Sequence, residues 1–142
     1  MSVCQRVRLS SVFNKMKATY TRLFTDDKGE SHFEDCESEL ALIDFAPPAA
    51  PLAVSENFPA SDAAFLAGPS GWTGDWHVSQ SRNLFVVISG EWEVEASDGT
   101  TRSFSPTSVL LVEDLTGRGH RSRVVSQEDS FALLVRLAGR TS

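Results

Sequence analysis

The chain carries three histidines, His32, His77 and His120, and imidazole is the one side chain whose ordinary titration falls near neutral pH. His77 follows Trp72 and Trp76, while His120 lies beyond a loop holding Gly117 and Gly119. If the two imidazoles face one cavity, they can act as an acid and base pair and move a proton on a bound molecule. Other residues fit around such chemistry. Arg82 offers a planar fork of donors that matches a carboxylate or enolate oxygen, and Asn83 beside it can stabilise negative charge developing on oxygen.

Glu113 ends an apolar strand and shares its parity with Val109 and Leu111. If that face is inward, burial raises its carboxyl pKa and suits it to acid-base work. The competing reading pairs it with Arg121 or Arg123 in solvent. Trp76 and Phe85 are candidate apolar walls for a planar ligand, with Ser79 and His32 as further lining residues. Each has a plainer role available: a core histidine, a solvated arginine or one paired with Glu113 or Asp114, a packed tryptophan, a surface His32.

These residues must be placed by strands. Ala18 to Phe24 reads as a strand closed by the turn Asp26, Asp27, Lys28, Gly29, and residues 39 to 45 form a second apolar run. Pro47, Pro48 and Pro51 then make residues 46 to 62 an irregular wall. From Leu84 the alternation sharpens: 84 to 88, 92 to 96, the Asp98-Gly99 hairpin turn, 102 to 104, 108 to 113 and 130 to 137. Only residues 10 to 17 read as helix. Residues 1–17 are expected to be an extension and residues 18–142 one all-β domain.

Composition narrows the function classes. Hydrophobic residues make up 41% and charged residues 23%, and no apolar run nears the ~20 residues of a membrane-spanning helix, so a soluble, cytoplasmic domain without membrane contact is expected. The net charge of −6 opposes binding to nucleic acid. Cys4 and Cys36 form no metal or disulfide pattern and are expected as reduced thiols. The first 24 residues hold five cations and no acid, a composition shared by organelle leaders and disordered extensions.

The spacing of Gly71, His77, Ser79, Asn83 and Gly90 resembles the first motif of the cupins: Gly, five residues, His, one residue, His, three or four residues, Glu, six residues, Gly. Ser79 stands where the second His falls and Asn83 where the Glu falls. The second motif is matched more loosely by Ser108, Asp114, Thr116, His120 and Val124. Over residues 63 to 137 the chain is therefore similar to a small single-domain cupin with a depleted metal motif. The resemblance implies an antiparallel jelly-roll β-barrel and a ligand at the barrel mouth; because Asn83, Phe85 and Val87 share one face of a strand and Leu84, Val86 and Ile88 the other, both largely apolar, its outside is expected to be covered by a partner subunit in a homodimer or by a second sheet of the same chain. It also implies a divalent metal, Fe, Mn, Ni or Zn, of whose usual ligands only His77 and His120 carry over. Two imidazoles rarely suffice, so no cofactor is expected; His32, Glu113 or Asp114 would have to complete a site. The function expected is isomerase, lyase or cyclase chemistry on a small carbonyl- or carboxylate-bearing metabolite. The alternatives are a metal-dependent dioxygenase and a non-catalytic ligand-binding or assembly module.

Overall fold

The computed structural model describes residues 16–139, and among them there is no helix. Eleven strands follow in order: β1 (Lys17–Thr25), β2 (Ser31–Glu39), β3 (Ala41–Ile43), β4 (Leu52–Val54), β5 (Ala60–Gly68), β6 (Asn83–Ser89), β7 (Trp92–Ala96), β8 (Thr101–Phe104), β9 (Val109–Glu113), β10 (His120–Val124) and β11 (Ser130–Leu137). Six of them form one sheet in the order β2-β1-β9-β6-β11-β5, and β10-β7-β8 form a smaller one. All pairings are antiparallel except β1 with β9, which is parallel.

The core lies where side chains of the two sheets meet. Leu23, Val87, Leu110 and Val112 come from the large sheet, and Trp92, Val94, Ala96, Phe104 and Val124 from the small one. Burying each large side chain of this kind contributes about 1.5–3 kcal/mol. Period-two alternation then sorts every strand into an inner and an outer face. On β6, Phe85 and Val87 point in, so Leu84, Val86 and Ile88 point out. On β9, Leu110 and Val112 point in, so Leu111 and Glu113 point out. The all-β, jelly-roll class expected from the sequence is the one observed.

The β7–β8 hairpin forms as the Asp98-Gly99 signal requires, with Gly99 at φ 92°. Four strands were not foreseen, among them β4, which lies wholly within the segment expected to be irregular. β2 is acidic and shows little apolar alternation, β5 begins inside the segment expected to be irregular, and β10 alternates charge rather than hydrophobicity. The apolar run at 39 to 45 divides between the end of β2 and the short β3, which pairs only with β4. Most of the expected helix at 10 to 17 lies outside the described residues. Cys36 is disulfide-bonded, so the expectation of reduced thiols does not hold for it; Cys4 lies outside the described residues. No helix among the described residues is long and apolar enough to cross a membrane.

Candidate functional site

His120 opens β10 opposite Ala96 of β7. Because Trp92, Val94 and Ala96 face the core, the register puts His120, Ser122 and Val124 on the inner face as well. The backbone of His77 pairs with that of His120 through two hydrogen bonds, each amide donating to the other's carbonyl at 2.9 Å. Directly opposed residues share a face, so both rings lie together, 4.6 Å between centroids and tilted by 55°. His120 is buried and His77 exposed, so the pair spans the rim of the barrel from interior to solvent.

The partners of these rings fix their tautomers. The His77 Nδ1–H donates to the carbonyl of Asp75 at 2.8 Å, and a carbonyl can only accept. The His120 Nδ1–H donates to Asp114 Oδ2 at 2.5 Å. Both Nε2 atoms are thereby left with a lone pair. Asp114 has no solvent exposure, and its other oxygen, Oδ1, has no partner among the described residues, so the imidazole of His120 is the group that answers its charge. The arrangement is a buried carboxylate holding a histidine in one tautomer and one orientation, as acid-base sites require.

Gly119 makes the juxtaposition feasible. It sits at φ 74°, and a Cβ there would collide with the carbonyl group of His77. Only glycine lets the β9–β10 loop lie against the 71–78 segment.

The two other positions of the cupin ligand set are spent on local structure. Ser79 Oγ donates to the carbonyl of Ser81 at 2.6 Å, and the Ser79 amide donates to the carbonyl of Asp114 at 3.0 Å. Asn83 Nδ2 donates to the same Ser81 carbonyl at 2.9 Å and to Ser79 Oγ at 3.3 Å, while Ser81 Oγ donates to Asn83 Oδ1. These groups tie the 79–83 turn together. No group of three or more potential metal ligands occurs among the described residues, so the residues present do not fit a cupin metal.

Glu113 is on the outer face of the large sheet, away from the two imidazoles. It accepts from Arg22 Nε at 2.7 Å and Arg82 Nε at 2.6 Å, and Arg22 also reaches Glu34 at 3.1 Å. Its side chain is 7% exposed, against 12% for Arg22 and 18% for Arg82. The inward face supposed for Glu113 is therefore corrected: period-two alternation opposes it to Leu110 and Val112. Arg82 has its Nε committed to Glu113 rather than poised for a ligand oxygen.

Trp76 also stands outside the barrel, where Arg121 lies 5.0 Å from its ring centroid. Phe85 packs edge-on against Trp92 at 5.3 Å and belongs to the inner layer. His32 is a clamp rather than a lining residue. Its Nε2 meets Asp26 at 2.7 Å and its Nδ1 meets Asp98 at 2.9 Å, joining the β1–β2 turn to the β7–β8 turn. The hydrogen bond to Asp26 raises the His32 pKa, and the same bond holds Asp26 down at about 2. Asp98 is also lowered: burial pushes it upward, but hydrogen bonds from Thr100 and His32 outweigh this.

Two cavities are lined by neither imidazole. One of about 730 Å³ runs along the outside of the small sheet between the ion pairs Glu93–Arg123 and Glu95–Arg121. Another of about 650 Å³ opens between β1, β2 and β8.

Two facing sheets, with His120 on the inner face and His77 beside it at the rim, make up the architecture. The fold is cupin-like. Among solved structures the chain is similar to the Cnp3 cupin domain of Schizosaccharomyces pombe, at 15% identity over 89% of this chain and 87% of that one, with a TM-score of 0.45. It is also similar to ethanolamine utilization protein Q of Salmonella typhimurium LT2, at 13% identity over 88% and 100% of the two chains and a TM-score of 0.36. Protein NMB1881 of Neisseria meningitidis matches at 17% identity over 54% and 72%, with a TM-score of 0.41. No protein-family model matches the chain, and no curated protein is matched by its sequence. Likeness at this level carries no functional content.

Proposed function

We propose that this cupin-like barrel binds a small carbonyl- or carboxylate-bearing metabolite at the His77–His120 rim and moves a proton on it, in the manner of an isomerase, lyase or cyclase. One observation carries the reading: both Nδ1–H groups are anchored, which leaves two Nε2 atoms on neighbouring rings 4.6 Å apart, one of them backed by the buried Asp114. His120 Nε2 takes the proton from the carbon next to a carbonyl, and Asp114 supplies the counter-charge as the ring becomes cationic. His77, in its protonated form, donates to the carbonyl oxygen as the enol forms, and its exposure lets it exchange that proton with water. Reversal at a neighbouring carbon gives isomerisation; loss of a leaving group gives a lyase.

The test is proton exchange. The protein is incubated in D2O with a panel of α-keto acids, hydroxy aldehydes and unsaturated carboxylates, and deuterium incorporation is followed by NMR. Exchange above buffer that disappears in His120→Ala and in His77→Ala, each with an unchanged circular dichroism spectrum, supports the reading. No exchange on any compound, or exchange indifferent to both substitutions, refutes it.

The hydrogen-bonded Ser79–Ser81–Asn83 turn favours a second reading, a non-catalytic binding module, because groups that hold a metal in cupins here hold only the loop. That reading predicts saturable binding of a compound from the same panel with no deuterium uptake.

A further inference from the structure

The small sheet has a second face that the chemistry of the rim does not use. Because Trp92, Val94 and Ala96 of β7 point inward, Glu93 and Glu95 point out, and the register carries Arg123 and Arg121 of β10 and Thr101 of β8 to the same side. Thr73, bridged to Arg123, joins them. Two rows then cross the sheet, Thr73, Arg123 and Glu93 in one and Arg121, Glu95 and Thr101 in the other. All six line the cavity of about 730 Å³, which residues 73–75 border. That volume is ordinary for a small-molecule site, but such sites are mostly lined by apolar and aromatic side chains. Among the described residues that line this one, none is apolar.

Charge is already matched inside this groove. Arg121 Nε donates to Glu95 Oε1 at 2.8 Å, and Arg123 donates to Glu93 Oε1 from Nε at 2.8 Å and from Nη2 at 2.5 Å. Each pair is therefore neutral, yet its hydrogen-bonding capacity is not used up. These bonds leave both Nη groups of Arg121, Nη1 of Arg123 and Oε2 of each glutamate for other partners, with the hydroxyls of Thr73 and Thr101 at the ends of the rows. Arg121 is also held from a second side, 5.0 Å from the centroid of the Trp76 ring. A guanidinium pinned in this way has little rotamer freedom left to lose when it binds.

A floor of this kind selects its occupant. A polyanion finds each guanidinium already answered by a carboxylate, so it gains little of the attraction on which its binding depends. A protein partner meets charge where stable interfaces concentrate apolar anchors. An uncharged molecule that both donates and accepts along its length matches both rows. We propose that this groove is a saccharide-binding site, in which neighbouring hydroxyls of a neutral sugar accept from the remaining Nη groups and donate to the Oε2 atoms. From residues 73–75 across β10 and β7 to β8, inter-strand steps of ~4.8 Å make about 14 Å, longer than one sugar ring, so the occupant is a short oligosaccharide. The groove lies on the face of the sheet opposite His120, and the assignment does not depend on the proton-transfer reading.

Amide chemical shifts of the isotope-labelled full chain, titrated with maltose, cellobiose and lactose up to ~50 mM each, test the inference. The expected result is saturable shifts at Thr73, Glu93, Glu95, Arg121 and Arg123 with at least one of these sugars. Glu95→Gln should raise that Kd at least tenfold with unaltered circular dichroism, and Arg123→Gln repeats the test should Glu95→Gln fail to fold. No saturable shift with any of the sugars overturns the inference. So do shifts confined to the His77–His120 rim, and binding whose Kd ignores the groove substitutions. Sodium phosphate is titrated in parallel; saturation by phosphate and by none of the sugars overturns it in favour of an anion site.

Discussion

Gly119→Ala tests how the two histidines are held together. At φ 74° an alanine costs about 1 kcal/mol in backbone strain. Its Cβ also falls on the carbonyl group of His77 and 2.9 Å from the amide nitrogen of Val78, and backbone cannot swing aside as a side chain can. Forcing that approach costs about 1–3 kcal/mol. The movement that relieves it separates His77 from His120 and forfeits two backbone hydrogen bonds worth ~1 kcal/mol each. Whichever of the two is incurred, a loss of about 3 kcal/mol follows, a large fraction of the stability of a single domain. At ~2 cal/mol/K of unfolding entropy per residue, it corresponds to a fall in Tm of ~10 °C or more. Gly99→Ala is the control: its φ is 92°, but nothing lies near the added Cβ, so only strain is incurred and Tm should fall by ~3 °C. Thermal melts by circular dichroism read both, and amide hydrogen exchange at His77 and His120 reports the bridge. If Gly119→Ala melts within ~3 °C of wild type with both amides still protected, the loop is not held by this contact and the reasoning is wrong.

Glu113→Ala strands Arg82 in a largely buried setting and leaves Arg22 with Glu34 alone, and should cost about 3 kcal/mol in urea denaturation while leaving any proton-exchange activity per folded molecule unchanged; a loss of activity without loss of stability would return Glu113 to the catalytic set. Asp114→Asn releases the His120 tautomer, so kcat should fall ~10²–10⁴-fold with a shifted pH profile, and Asp114→Glu should restore part of it; a fall in stability alone with an unmoved profile would count against the positioning role. His32 gives a pH signature. Its folded pKa is raised, so its contribution is complete below the unfolded value of ~6.5 and is lost as pH rises through the folded value. For Asp26 the sign reverses: its contribution is present above ~3.8 and is lost as pH falls toward about 2. Melting temperature against pH should therefore decline above neutrality in wild type and not in His32→Gln; parallel profiles would refute the clamp.

The parts of the fold that were legible in the sequence are those in which one strand face is apolar and the next turn is glycine-marked, as at β6, β7 and β8. β2 was hidden because its inner face carries Asp35 and Glu37, which line an open cleft, so no alternation of hydrophobicity was written there. β10 was hidden because Arg121 and Arg123 take up Glu95 and Glu93 across the sheet, a pairing visible only once the register is known. At the site, the pairing of His77 with His120 was legible through spacing. Asp114 was weighed only as a metal ligand or a partner for Arg82; the signal was there, an acid six residues before His120 with Gly117 and Gly119 letting the chain double back. The side on which Glu113 stands follows from which residues of β9 meet β7, and no local pattern contains that.

The parallel pairing of β1 with β9 joins Leu23 to Val112 and so spans most of the chain. During synthesis the β1–β2 hairpin emerges early, but it has no place in a sheet until β9 has been made and has paired with β6. Long-range pairing of this kind pays its loop-closure entropy before any contact is gained and slows folding. The N-terminal hairpin is thus a late addition to a sheet that the C-terminal half builds first, and its unpaired edge is the part most open to wrong partners while it waits.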